Sequence, residues 1–333
     1  MPLLHRRMQS FARTDYHSRM STTIDVTALC PGQGAQAVGM GRGWHDASKE
    51  SKAIFDRADE VLGDSLGESL SALCFDGPAD VLNQTNISQP AIYTCSVACW
   101  HGLYGQDASP AVAAGLSLGE YTALHLAGAF SFEDGLRLVA RRGELMQESA
   151  EASCGGMLAV MGASEEEASV LCAEITSGGG ILVPANLNAP GQIVLSGDAN
   201  ACDRAAEACG DRGWRATSLK VAGAFHSAHM EPAAAAMREV LASVAIEPLQ
   251  SEVWTNVRAM RYPSDAADVI RETLAAQVTS PVRWSDQIAA MVEAGSSEWI
   301  ELAPGKVLKS LVRRIDRSAK VKNYDQPDQA VSA

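Results

Sequence analysis

Residues 113–128 read AAGLSLGEYTALHLAG, with Ser117 held between Gly115 and Gly119 in a G-x-S-x-G pattern. The residues before it, 111–115, form a short apolar run of strand character, and residues 120–127 carry helical spacing with Leu124 on the buried side. Strand, tight turn and helix in that order describe a nucleophile elbow, in which small flanking residues let the chain turn sharply and hold the hydroxyl clear of the backbone. The helix from Leu118 then directs unpaired N–H groups and its positive dipole end toward the serine. The competing reading is a serine that merely occupies a turn.

Alternation of strands and helices continues outward from this elbow. An apolar strand at 25–30 runs into PGQGAQAVGMGRGW, a loop punctuated by Pro31, Gly32, Gly34, Gly39 and Gly41. Helical periodicity covers 49–62, 92–103 and 132–149; in the last, Leu138, Val139, Leu145 and Met146 share one face and Arg142 falls on that apolar side. After Cys154 the rhythm changes to strand 157–162, a helix opened by a capping box of Ser164 and Glu167, two strands around a Pro190-Gly191 turn, a helix capped by Asp198, and a closing strand at 214–221. That βαββαβ order is ferredoxin-like. The fold expected is therefore α/β, with a hydrolase-like α/β core at 20–153 and 222–318 and a ferredoxin-like insertion at 154–221. Residues 1–19 read as a disordered leader and 319–333 as a tail.

Composition narrows the function. No apolar run reaches the roughly 18 residues of a membrane span, so no membrane role is expected. The formal net charge of −13 argues against nucleic-acid binding, which requires a basic surface. The eight cysteines form no C-x-x-C pair and no metal spacing; they read as small core residues of a reducing compartment, with neither disulfides nor a metal site. The Arg-rich, acid-poor leader fits either an organellar transit peptide or residues preceding the true start at Met20, so the location is cytoplasmic in one case and a mitochondrion or plastid in the other.

A serine nucleophile requires a base. Among the histidines, His226 is best placed, directly after the insertion in GAFHSAHM; His125 sits at the far end of the elbow helix and His229 reads as a helix-surface residue. Arg142 is evenly balanced between a carboxylate receptor and a side chain that snorkels to water. A dinucleotide loop at Gly32 and Gly34 is set aside, because no ribose-binding acid follows a second strand.

Taken together, PGQGAQ (31–36), GLSLGEYTAL (115–124), RRGELMQE (141–148), NAPGQIVLSG (188–197), GAFHSAHM (223–230), SPVRW (280–284) and APGKVL (303–308) resemble, in order, the malonyl-CoA:acyl-carrier-protein transacylases. The resemblance spans about residues 25–316 and implies Ser117 as the acylated nucleophile and His226 as its base. It further implies Gln33 and Leu118 main-chain N–H groups as an oxyanion hole, Arg142 as the receptor of the malonyl carboxylate, and a carbonyl at Gln277 that orients the histidine. No cofactor is implied, since malonyl-CoA and the carrier's phosphopantetheine are substrates. One departure is Leu116, where many relatives have histidine; Phe225 suits a small acyl unit. The acidic carrier protein would meet a basic island of Lys306, Lys309, Arg313, Arg314, Arg317, Lys320 and Lys322, which also reads as a solvated helix face. A monomer supplying fatty acid synthesis is the expectation. A polyketide acyltransferase, a serine esterase or thioesterase, and a non-catalytic malonyl-CoA sensor are its rivals.

Overall fold

A computed structural model describes residues 22–328; the leader at 1–19 and the last residues of the tail lie outside the described residues. Among the described residues nine strands form two sheets: β1 (Thr22–Cys30), β2 (Ala108–Gly115), β7 (Glu252–Val253), β8 (Trp299–Leu302) and β9 (Lys322–Tyr324) in one, and β3 (Gly155–Met161), β4 (Leu182–Ala189), β5 (Gln192–Asp198) and β6 (Arg215–Ser218) in the other.

The larger sheet has the order β7-β2-β1-β8-β9, and every pairing in it is parallel. Parallel strands need crossover connections, and the helices that supply them cover the sheet. Beneath it runs the helix Thr85–Tyr104, of which fifteen residues are buried. It begins seven residues earlier than periodicity at 92–103 indicates, because its first turns bury polar groups, Ser88 and Gln89, instead of an apolar stripe. Tertiary packing supplies its start: the side-chain oxygen of Gln147 accepts from the Thr85 N–H at 3.1 Å, in place of a local cap.

The smaller sheet has the order β4-β5-β3-β6, all antiparallel. Its first strand is central between its third and fourth, the ferredoxin-like arrangement. Strand alternation makes the sheet two-sided. Leu158 and Val160 join Leu171, Leu195 and Ala205 under the helices Glu165–Ser177 and Ala199–Asp211, while Met157, Ala159 and Val194 face the main core. Both partners of the Ser164–Glu167 capping box are in place. The insertion is tied to the core through SPVRW: Val282 donates to Ala185 O at 2.8 Å and accepts from the Leu187 N–H at 2.9 Å.

Three expectations need correction. Asp198 stands at the start of its helix but makes no side-chain cap; its carboxylate accepts from the Ile181 N–H at 2.8 Å and faces His229 at 2.7 Å, so longer-range partners outcompete the local N–H groups. Residues 319–333 are not wholly a tail, since Lys322–Tyr324 add a parallel strand and Tyr324 O accepts from the Trp44 indole at 3.0 Å. Cys154 is exposed, whereas the other seven cysteines are buried; all eight are free thiols.

The register of the central strands places the site. Cys30 pairs with Gly115, so the loop leaving β1 and the elbow leaving β2 emerge side by side at the carboxyl edge of the sheet. Their approach leaves no room for side chains: a Cβ on Gly119 would stand 2.1 Å from Cys30 O, and one on Gly32 would stand 2.2 Å from Leu116 O. Gly119→Ala should therefore cost about 3 kcal/mol or more in urea unfolding, whereas Gly210→Ala, with open space around its Cβ, should stabilise by about 0.5 kcal/mol. Equal effects at the two positions would contradict this account of the elbow.

Candidate active site

Ser117 takes φ = 51°, a left-handed conformation that is costly for a side-chain-bearing residue. Asn256 holds it there. Its Oδ1 accepts from the Ser117 N–H at 2.6 Å and its Nδ2 donates to Gly115 O at 2.7 Å, so one amide spans the two arms of the turn. The Asn256 Nδ2 also donates to Gln287 Oε1 at 2.9 Å.

The structure brings His226, Arg142 and Gln277 to this serine from three separate parts of the chain. Ser117 Oγ lies 2.9 Å from His226 Nε2, and His226 Nδ1 lies 2.8 Å from Gln277 O. A carbonyl only accepts, so Nδ1 carries the proton and Nε2 presents a lone pair to the serine hydroxyl. His226 is 4% exposed. Burial, followed by the positive charge of Arg142, lowers its pKa to about 4, against the opposing pull of the Gln277 and Ser280 carbonyls. The imidazole is thus neutral near pH 7 and able to take a proton.

Arg142 is 1% exposed. Its Nη1 donates to Gln89 Oε1 at 2.7 Å, and its Nη2 donates to Ser117 Oγ and to Gln277 Oε1, both at 3.0 Å. Gly143 permits this meeting: a Cβ there would stand 2.7 Å from Thr85 O, so its absence lets the long helix Phe132–Ala152 lie against the start of the helix that carries Gln89. The guanidinium also sits over the Tyr121 ring, 5.4 Å from its centroid. Its Nε has no acceptor, and among the described residues no carboxylate forms a salt bridge with it. Burial pulls the arginine's pKa down, while Tyr121 and Glu120 oppose this. Arg141, its neighbour, faces outward and pairs with Glu144 at 2.9 Å.

Gln33 lies half-buried in the loop after β1, its Nε2 donating to Thr85 Oγ1 at 3.2 Å, and buried Leu118 occupies the position before the helix Gly119–Leu126. The strand register brings both residues to the same edge as Ser117. Leu116 is half-buried against the cluster that contains Trp254 and Trp284.

His229 is not a surface histidine; it is half-buried against Asp198 and stays outside this group. His125 is turned away, with Nδ1 3.0 Å from Phe130 O. Lys306, Lys309, Arg313, Arg314, Arg317 and Lys320 are exposed and form no ion pair among the described residues, and Lys322 reaches Glu298 at 4.0 Å. Sequence reasoning missed Gln89, Asn256, Glu120 and Tyr262. Only Glu120 left a trace, a charged residue opening an otherwise apolar helix. Burial raises its pKa to about 7, opposed by hydrogen bonds from Tyr262, Asn256 and Gln277 and by the charge of Arg142.

A hydroxyl against a neutral imidazole beside an unpaired buried cation can attack a carbonyl carbon and retain a product that bears a negative charge. The tautomer is directly observable: nitrogen NMR should show His226 protonated on Nδ1 at neutral pH, with a midpoint near 4. Titration near 6.5 would contradict the assigned environment.

The chain is similar to known proteins over nearly its whole length. Residues 27–327 match the acyl transferase domain family. The malonyl CoA-acyl carrier protein transacylase of Bacillus subtilis is 39% identical over 304 residues, covering 91% of this chain and 94% of that protein. The crystal structure of the Clostridium perfringens malonyl CoA-acyl carrier protein transacylase superposes with a TM-score of 0.86 at 38% identity, covering 93% of this chain and 96% of the other. A malonyl-transacylase solved in complex with a type II polyketide acyl-carrier protein matches with a TM-score of 0.86 at 35% identity, over 93% of this chain and 99% of that one. With sequence and fold both matching across nearly the whole chain, the protein belongs to the acyl transferase domain family and, within it, to the malonyl CoA-acyl carrier protein transacylases.

Proposed function

We propose that the protein transfers the malonyl group of malonyl-CoA to the phosphopantetheine thiol of acyl carrier protein through a malonyl ester on Ser117. The observation that carries this reading is Arg142: a buried guanidinium without a carboxylate partner, 3.0 Å from the serine oxygen. The carboxylate carbon of a malonyl group lies about 2.5 Å from its thioester carbonyl carbon, two C–C bonds away. A receptor for it must therefore stand beside the nucleophile, as Arg142 does.

In the first half-reaction Ser117 Oγ attacks the thioester carbon as its proton passes to His226 Nε2. Negative charge gathers on the carbonyl oxygen, which the main-chain N–H groups of Gln33 and Leu118 receive. Collapse expels the CoA sulfur, which takes the proton from His226. In the second half the carrier's thiol loses its proton to His226 and attacks the ester, and Ser117 recovers that proton on leaving. The Gln277 carbonyl accepts from Nδ1–H throughout and steadies the imidazolium, the task that a carboxylate performs in other serine enzymes.

The malonyl carboxylate also acts on the base. Arg142 charge is the second cause of the low His226 pKa, and a carboxylate bound to the guanidinium offsets it. A charged acyl group therefore makes protonation of His226 easier, whereas an acetyl group does not. Phosphopantetheine on an acidic carrier suits the exposed basic residues from Lys306 to Lys320, on and after the helix Val307–Ile315. Free thiols throughout suit a reducing compartment, and we assign a cytoplasmic monomer supplying malonyl units to fatty acid synthesis.

Mass spectrometry should find one malonyl group on the Ser117 peptide after incubation with malonyl-CoA, and none in Ser117→Ala. Arg142→Ala should cut kcat/KM for malonyl-CoA by about 10²- to 10³-fold while acetyl transfer is kept or raised; unchanged selectivity would remove Arg142 from its role. Charge reversal at Arg313 and Arg314 should raise KM for the carrier several-fold and leave acylation by malonyl-CoA unaltered, whereas identical carrier kinetics would place the dock elsewhere.

A further inference from the structure

Glu120 is wholly buried on the first turn of the elbow helix, and neither half-reaction uses it. Its Oε1 accepts from the Tyr262 hydroxyl at 2.6 Å. Its Oε2 accepts from the Asn256 N–H at 3.1 Å and from Gln277 Nε2 at 2.6 Å. It thereby touches the side-chain amide of Gln277 and the main chain of Asn256, without a hydrogen bond to Ser117 Oγ or to Arg142.

The Gln277 amide is the pivot. Its Nε2 also donates to Ser117 O at 3.0 Å, a carbonyl that only accepts, while Glu120 Oε2 is the oxygen that already accepts from the Asn256 N–H. The two ends of a primary amide are fixed relative to one another. With the nitrogen held by Glu120 and Ser117, Oε1 must face the other way, and there it accepts from Arg142 Nη2 at 3.0 Å. The flipped amide would set an oxygen against the Glu120 and Ser117 oxygens and an NH₂ against a guanidinium, unfavourable contacts among buried groups.

We infer that Glu120 is a positioning residue for acyl-group selectivity: by locking the Gln277 amide, it aims the Arg142 guanidinium at the space beside Ser117 Oγ. The inference rests on the malonyl reading above. It assigns Glu120 work through hydrogen-bond geometry, which its amide analogue can largely reproduce. A glutamine at 120 can accept from Asn256 and Gln277 through one oxygen and donate to the Tyr262 hydroxyl from the other end.

Steady-state acylation by malonyl-CoA and by acetyl-CoA should be compared in wild type, Glu120→Ala, Glu120→Gln, Gln277→Met and the Glu120→Ala/Gln277→Met double variant. Glu120→Ala should raise KM for malonyl-CoA and lower the malonyl-to-acetyl ratio of kcat/KM by about tenfold or more, the scale of a lost hydrogen bond to a charged group. Glu120→Gln should restore the ratio to within about threefold. Gln277→Met keeps the main-chain carbonyl for His226 and should show the same loss of selectivity, with no further loss in the double variant. Equal losses for both acyl groups, or a Glu120→Gln as unselective as Glu120→Ala, would overturn the inference. Should Glu120→Ala not fold, a Gln277→Met of wild-type selectivity would overturn it alone. A wild type that is not malonylated on Ser117 would sink the parent reading, an outcome distinct from a selective wild type with equally selective variants.

Discussion

The close approach of two chain turns governs this site. β1 and β2 end in register, and the loop leaving one is pressed against the elbow leaving the other until only glycine fits at 32, 115 and 119. A Cβ on Gly115 would stand 1.9 Å from the Gly119 carbonyl carbon, deep inside any contact distance. This contact sets the strained Ser117 backbone at the start of a helix and brings the glycine-rich loop to the same place. The other functional groups are arranged around that fixed point.

The second constraint is electrostatic. A guanidinium removed from water without a carboxylate is costly, and three neutral oxygens, from Gln89, Gln277 and Ser117, make up only part of its lost hydration. A site of this kind favours an anion that completes it, and disfavours an uncharged group of the same size. The same charge helps keep His226 neutral, so the two buried groups are electrostatically linked. Neutral amides around Arg142 leave its charge unspent, because a resident carboxylate would compete with any incoming anion for the guanidinium. Glu120 stands one amide farther away, where it orients without competing.

Features with short-range causes were legible in the sequence. The Ser164–Glu167 capping box, the βαββαβ order and the strand, turn and helix around Ser117 follow from spacing and from residue types with strong local preferences. The pairing of Ser117 with His226 needed the resemblance as well as the residues, since no local rule links positions so far apart. Arg142 was half legible: its place on an apolar helix face was plain, but burial against Gln89 depends on Gly143 admitting a second helix. Asp198 and His229 misled local reasoning because each found its partner across the boundary between the inserted module and the core. β9 escaped notice because three residues of edge strand carry almost no periodic signal.

The amino-acid sequence by itself determined the elements, their order and the chemical types available: a serine in a turn that demands glycine, an imidazole after the insertion, an arginine on an apolar face. These are properties of dihedral preference and periodicity, which act over a few residues. Only the tertiary structure decided which polar groups meet without water. Asn256, Glu120 and Gln89 are ordinary polar residues in their local context, and they become determinants of the site because parallel strand pairing and helix packing bury them against Ser117, Gln277 and Arg142. Burial gives each of those hydrogen bonds its weight, and burial is a property of the whole fold.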